Sequence, residues 1–342
     1  GRDFGMFTPA YRNITDIDQY GNSNEKIGKA KLDERRLDWQ KSNDSGLYIQ
    51  KCAELPYMPK EAFSAIGENI FPVKLLDEHL NFLIKSNYHK QFVTTGEMEG
   101  CRFIPKTLEP YVEYPVKAGD RDSCVCIFRQ PFIVNSKVPD NLYRICVDPY
   151  RNDTGGSSIG SIYVIENTNT FTKYKGDMIV AWYNGRPSDD SEQTKFCRIL
   201  FGLAEMYNAQ IGLEIGAESY VLSYAKNRAN FDSKGRKLTY YLAPSFELAF
   251  DEKLIRKKSN VKLTYGIVMN NERKEQGLNY LKDWLLRPRK YVEGKAVRNL
   301  NYIFDIGLLK ESTEHKGNNA DRLSSMVIGP FFEKDLSYKQ KH

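Results

Sequence analysis

Between Tyr143 and Gly216 the chain leaves itself little choice of architecture. Three apolar runs, Tyr143–Asp148 (YRICVD), Ile159–Glu166 (IGSIYVIE) and Asp177–Tyr183 (DMIVAWY), have strand length and β-branched or aromatic character. The turn PYRNDTGGSS, with two glycines, separates the first two. The segment SDDSEQTKFCRILFGLAEMYNA then changes period: Phe196, Leu200, Leu203 and Met206 form one helical stripe, and Ser188, Asp189 or Asp190 can cap it. Gln210–Gly216 (QIGLEIG) returns to strand, Ala217–Arg228 to helix, LTYYLAP to a fifth short strand, and about Glu272–Leu286 to a long helix. Hairpin strands followed by a crossover through a helix predict a mixed α/β sheet with helices on its faces.

The regions before Tyr143 read differently. Residues 1–24 lack periodicity, a charged helix is expected over about Lys26–Lys41, and Pro56 and Pro59 stop regular structure before a helix restarts at Lys60. A second amphipathic helix is expected over Val73–Lys85, with His79 in its apolar stripe as a packed residue. Residues 91–138 consist of short alternating pieces cut by Gly, Pro and Asp, expected as a β-rich connector leading into the main sheet. The chain is therefore read as a linker or tail over 1–70, a helix plus connector over 71–140, and the main domain over 141–342.

Composition narrows the chemistry. No apolar run approaches the roughly 20 residues that span a bilayer, and no signal peptide is expected. The formal net charge of +6 permits a polyanionic partner without requiring one. The cysteines (52, 101, 124, 126, 146, 197) lack zinc spacing and are read as reduced core residues, and four histidines are too few for a His-rich zinc site. A metal here would be held by carboxylates, which suits hard cations such as Mg²⁺ or Mn²⁺.

Three acids stand out. Asp148 ends an apolar strand, a costly place for a charge unless a turn or a cation compensates it; capping the PYRND turn is at least as good an explanation. Glu214 sits inside QIGLEIG, where alternation puts Ile211, Leu213 and Ile215 on one face and Gly212 and Glu214 on the other. Gly212 is read as space cleared beside the carboxylate, on a strand expected to be central and covered; an edge strand with Glu214 facing water is the competing explanation. Asp321 precedes an apolar helix, where the helix dipole alone would favour it. Together the three could share two divalent ions that activate a water and stabilise the leaving oxygen of a phosphodiester.

The order of strands and acids resembles ribonuclease-H-like nucleases, and more closely the nuclease domain of phage large terminase subunits, with crAss-like gut phages as the nearest group. The resemblance rests on YMPKEAFSAIGENIFP, IFRQPFIVNSKVPDNLYRICVDPYRNDTGG, QIGLEIG, YGIVMNNERKEQGLNYLKDWLL and LLKESTEHKGNNADRLSSMVIG, and covers about residues 45–332. It implies a ribonuclease-H-like mixed sheet flanked by helices, with a helical and β-rich N-terminal extension. It implies a metal-dependent endonuclease acting on double-stranded DNA, with Asp148, Glu214 and Asp321 as catalytic metal ligands for Mg²⁺ or Mn²⁺. The implied partners are the terminase ATPase domain, the portal and the small terminase subunit, and the place is the host cytoplasm at the procapsid.

Two departures accompany the likeness. Ala320-Asp321 offers one acid where many terminases carry two, and Ser157 and Ser158 stand where many carry another Asp. Asp153, before the glycines, is either an auxiliary metal ligand or a turn residue. No GxxxxGK[ST] occurs, so no ATPase activity is expected of this chain. Basic clusters at Arg256, Lys257 and Lys258 and at Arg287 and Arg289, together with Lys274, are candidate DNA-backbone contacts, against the ordinary alternative of solvated helix faces. The competing functions are a non-catalytic docking module for DNA or portal, and another ribonuclease-H-like enzyme such as a resolvase or transposase.

Overall fold

The structure is a computed structural model. The residues described are 7–13, 20, 23–41, 45–59, 61, 69–150, 158–188, 192–214, 220–244, 265–316 and 320–341. Asp153, Arg256, Lys257 and Lys258 lie outside them, as do Asp189 and Asp190 and most of the helix expected from Lys60. The chain divides into two compact units, Gly1–Pro72 and Val73–His342.

In the first unit, α1 (Glu25–Lys41) and α2 (Ser45–Glu54) pack together. Their junction is tied by Arg36, whose guanidinium donates to both Glu61 oxygens at 3.0 and 2.8 Å and to Leu55 O at 3.0 Å, and lies 3.6 Å over the Tyr57 ring. Bidentate geometry of this kind gives an ion pair a defined orientation.

The second unit is a mixed α/β fold. Its elements are α3 (Val73–Ser86), β1 (Thr94–Glu99), β2 (Arg102–Pro105), β3 (Val125–Ile127), β4 (Tyr143–Asp148), β5 (Gly160–Glu166), β6 (Met178–Gly185), α4 (Glu192–Met206), β7 (Gln210–Leu213), α5 (Tyr220–Lys226), α6 (Asn271–Leu286), β8 (Pro288–Val292), β9 (Lys295–Arg298), α7 (Ile306–Glu314) and α8 (Asp321–Lys341). Seven strands form one sheet in the order β2-β1-β3-β6-β5-β4-β7, and β8 and β9 form a separate hairpin. All neighbours in the large sheet are antiparallel except β4 and β7, which the α4 crossover makes parallel.

The strands β4, β5 and β6 are buried almost throughout because both faces of the sheet are covered. Alternation sends Ile145, Val147, Ile211 and Leu213 into a core shared with Phe196, Leu200 and Leu203 of α4. The opposite face of β4 and β5 carries α8. Among the described residues no helix is long and apolar enough to cross a membrane.

Two expectations need correction. Residues 91–138 are not a connector ahead of the sheet: β1, β2 and β3 are strands of that same sheet, and from Val73 onward the segment 71–140 belongs to the same compact unit as residues 141–342. Backbone pairing across distant segments decided this, and no local pattern reveals it. The strand expected at LTYYLAP is a 3-10 turn over Leu238–Tyr241, followed by an isolated parallel bridge from Leu242 to Ile211. The β8–β9 hairpin has no counterpart among the expected elements; its strands are mostly exposed and carry little apolar alternation.

Candidate active site

The α4 crossover brings the C-terminal ends of β4 and β7 side by side. Val147 is paired with Leu213, so Asp148 and Glu214 come next as neighbours on the two parallel strands. They share the sheet face that carries α8. On that face a Cβ at Gly212 would stand 3.0 Å from Phe332 Cδ1 and 3.3 Å from Ile328 Cγ2. Gly212 therefore clears room for α8, not for a ligand as the sequence implied. A side chain there would hold the helix off the strand, and with it Asp321, the first residue of α8.

Strand β7 is also not central. It is the last named strand of the sheet, but its outer edge is closed by parallel bridges from Ile211 to Leu242 and from Glu214 to Ile267. Ile267 N donates to Leu213 O at 2.9 Å. This edging keeps the Glu214 side chain at 22% exposure, short of facing bulk water.

Asp321 is buried, and its Oδ2 accepts a hydrogen bond from Ile159 N at 2.8 Å. The carboxylate thus reaches across to the start of β5. One turn on, Ser325 donates to Cys146 O at 2.9 Å and seats α8 on β4. Beneath this lies a fully buried ion pair, Arg322–Glu311 at 3.1 Å, with Leu323 N donating to Glu311 at 2.8 Å. Arg322 also donates to Tyr111 O and Glu113 O. Burial holds the Glu311 carboxyl up, at about 7, against the pull of the guanidinium.

Asp148 is the centre of the electrostatics. It is half-buried at the strand end and receives no hydrogen bond from the described residues. Burial, then the charges of Glu214 and Asp321, push its carboxyl well above the usual carboxylate range, while Lys274 pulls it back. Lys274 Nζ stands 4.0 Å from Glu214 Oε1. A cleft of about 340 Å³ opens beside Glu214 and Lys274, lined also by Asn271, His315, Ser324 and the apolar Leu278; of the three acids only Glu214 lines it. Among the described residues no group of three or more His, Cys, Asp or Glu is drawn tightly enough to grip an ion. Asp148, Glu214 and Asp321 are thus interacting neighbours, not a closed cage.

The donor set is nonetheless of the right kind for a hard divalent cation. It is all carboxylate oxygen, and Asp148 has mutual repulsion that a cation would relieve. His315 and Ser324 were not singled out from the sequence. His315 lies six residues before Asp321 in a polar stretch, and nothing in the local pattern distinguishes it from a solvated loop histidine.

The basic residues separate sharply. Arg289 is not a surface contact. It donates to Asn299 Oδ1 at 2.8 Å and to the carbonyls of Asp177, Gly176 and Tyr174 at 2.9, 2.7 and 2.5 Å, so its donors are spent inside the protein. Arg287 is half-exposed but paired with Asp177 at 2.8 Å. It caps the far end of α6, 13 residues beyond Lys274, which is roughly 20 Å along a helix. Of these α6-linked cations, Lys274 alone reaches the acids. A scan against protein-family models finds no match to this chain, and a search of curated proteins finds no relative.

Proposed function

We propose that this chain is a divalent-metal-dependent endonuclease of the ribonuclease-H-like kind, cutting double-stranded DNA as the nuclease part of a phage large terminase subunit. The observation that carries the reading is the setting of Asp148: a carboxylate at the end of a parallel strand pair, beside Glu214 and Asp321, without a donor among the described residues. In open α/β sheets, ligands bind outside the carboxyl ends of parallel strands, and β4 and β7 form the parallel pair of this otherwise antiparallel sheet.

Asp148, Glu214 and Asp321 would hold Mg²⁺ or Mn²⁺, and the chemistry supplied on binding is activation of a water and neutralisation of charge on the phosphodiester. The protein's own share is positioning. The Ile159 N–H fixes one Asp321 oxygen, the edging at Ile267 fixes Glu214, and Lys274 offers a cation at the cleft mouth to the DNA backbone. Arg256, Lys257 and Lys258 remain candidate backbone contacts. The ATPase domain, portal and small terminase subunit are the proposed partners, with work done at a procapsid in the host cytoplasm.

The test is cleavage of supercoiled plasmid with Mg²⁺ or Mn²⁺. The parent chain is expected to nick and linearise it, and Glu214→Ala to be inactive with an unchanged melting temperature. Equal cutting by parent and Glu214→Ala would remove the mechanism. DNA retention by the parent with no cutting under either metal would leave a docking module.

A further inference from the structure

Helix α6 packs closely on α8 at Gly277. A Cβ there would stand 2.3 Å from Val327 Cγ1 and 2.8 Å from Phe331 Cε2, so only glycine lets the helices meet at this distance. Lys274 is three residues earlier, on the same side of the helix. The contact at Gly277 therefore fixes where the Lys274 stem begins relative to α8 and Asp321. From there the ammonium reaches 4.0 Å from Glu214 Oε1, within ion-pair range but too long for a direct hydrogen bond. Its charge also acts on Asp148, as the one cation among the principal influences on that carboxyl. The side chain is 51% exposed, so it can leave the acids without stripping away packing.

Long pairs occur elsewhere in the unit, Lys310–Glu113 and Arg287–Glu333 at 3.9 Å; what sets Lys274 apart is that its charge also acts on a second acid, Asp148. Arg322–Glu311, Arg129–Glu166 and Arg287–Asp177 in the same unit close at 3.1, 2.8 and 2.8 Å. Lys274 holds its acid loosely, from a backbone placed tightly. A cation in that position lowers the mutual repulsion of the carboxylates, and it repels any second cation that approaches them.

We propose that Lys274 is a tethered counter-ion of the acid cluster: it competes with divalent cations for Glu214 and, once displaced by one, is free to hold a substrate phosphate at the cleft mouth. The inference rests on the metal-dependent reading above. It makes Lys274 a residue whose removal improves metal binding while impairing turnover. Loss of a ligand or of packing would weaken both.

The experiment is a calorimetric titration of the 342-residue chain with MnCl₂ alone, comparing parent, Lys274→Met and Lys274→Arg, with Lys274→Gln as a second neutral variant should the methionine protein fail to fold. The neutral variant is expected to bind Mn²⁺ about tenfold more tightly, the scale for removing one partly solvated charge a few ångströms away. Lys274→Arg is expected to stay within about twofold of the parent. At saturating Mn²⁺ the neutral variant is expected to show a lower kcat for plasmid cleavage, which a metal-affinity gain alone would not produce. Unchanged or weaker Mn²⁺ binding by the neutral variant, with binding by the parent intact, overturns this inference and leaves the metal reading standing. Failure of both parent and neutral variant to bind Mn²⁺ overturns the two together.

Discussion

The two ends of the central strands treat buried acids in opposite ways. At one end, Asp177 receives Trp284 Nε1 at 2.7 Å, Arg287 at 2.8 Å and Asn299 Nδ2 at 3.0 Å. Nearby, Glu166 is fully buried and takes Arg129 at 2.8 Å, Asn169 Nδ2 at 3.0 Å and the Thr172 hydroxyl. At the other end, Asp148 has two like charges beside it and a lysine whose pairing to Glu214 is long. Desolvating a carboxylate costs several kcal/mol unless donors answer it. Asp177 and Glu166 are answered by the protein itself and lock the structure. Asp148 is not, and on the proposed reading that difference separates a structural acid from one that takes an outside cation.

The largest effect that could break this contrast is catalytic. Asp148→Asn is expected to lower plasmid cleavage by at least about 10³-fold, roughly 4 kcal/mol in the barrier. Gel-resolved cutting at saturating Mn²⁺ measures it, and near-parental rates would place Asp148 with the structural acids. Next is Asp177→Asn, which keeps a residue tolerant of the positive φ of 56° but removes the charge. It is expected to cost about 3 kcal/mol in denaturant unfolding, because the donors Trp284, Arg287 and Asn299 lose one of the two oxygens they share and the negative charge that answers Arg287. Specific cleavage per folded molecule should be unchanged.

A smaller effect has the opposite sign. The Asp148 carboxyl is raised in the folded protein, so the folded state binds its proton more tightly than the unfolded chain does. In chelator, that contribution to stability is fully present below the ordinary carboxylate value of about 4 and is lost as pH rises through the raised folded value. Asp148→Asn removes this loss. It is expected to melt a few °C above the parent at pH 7 in chelator, corresponding to about 1 kcal/mol. A lower melting temperature would show that the acid is already compensated. The smallest effect is at Arg287→Ala, expected to change duplex DNA affinity less than about twofold. A large loss with a steep change in salt dependence would bring the far end of α6 back into the DNA surface.

Much of the fold was legible because it is written in local period. Strands β4, β5 and β6, helix α4 and helix α6 fall where apolar spacing put them, with ends within a few residues. His79 is a packed helix residue whose Nε2 meets Ile303 O at 2.9 Å, as its place in an apolar stripe implied. The acids were visible for a related reason: a charge interrupting an apolar strand is conspicuous in one dimension. Roles that depend on a partner were not visible. Arg289 and Arg287 read as a surface cluster because a sequence shows charge and not acceptors, and the acceptors come from residues 174–177 and Asn299. Gly212 read as an opening because nothing nearby in sequence announces Phe332.

Residue order alone determined the alternation of strands and helices and the three acids set within or at the edge of apolar segments, Asp148, Glu214 and Asp321, since periodicity and charge are properties of neighbours along the chain. Only the tertiary structure decided that β1 to β3 join the same sheet, that α8 lies close enough on β4 and β7 to bring Asp321 to the other two acids, and that Arg289 turns inward while Lys274 does not. Those outcomes depend on which distant groups satisfy a backbone edge, a glycine gap or a guanidinium. Such satisfaction is a matter of distance in space, which linear spacing does not encode.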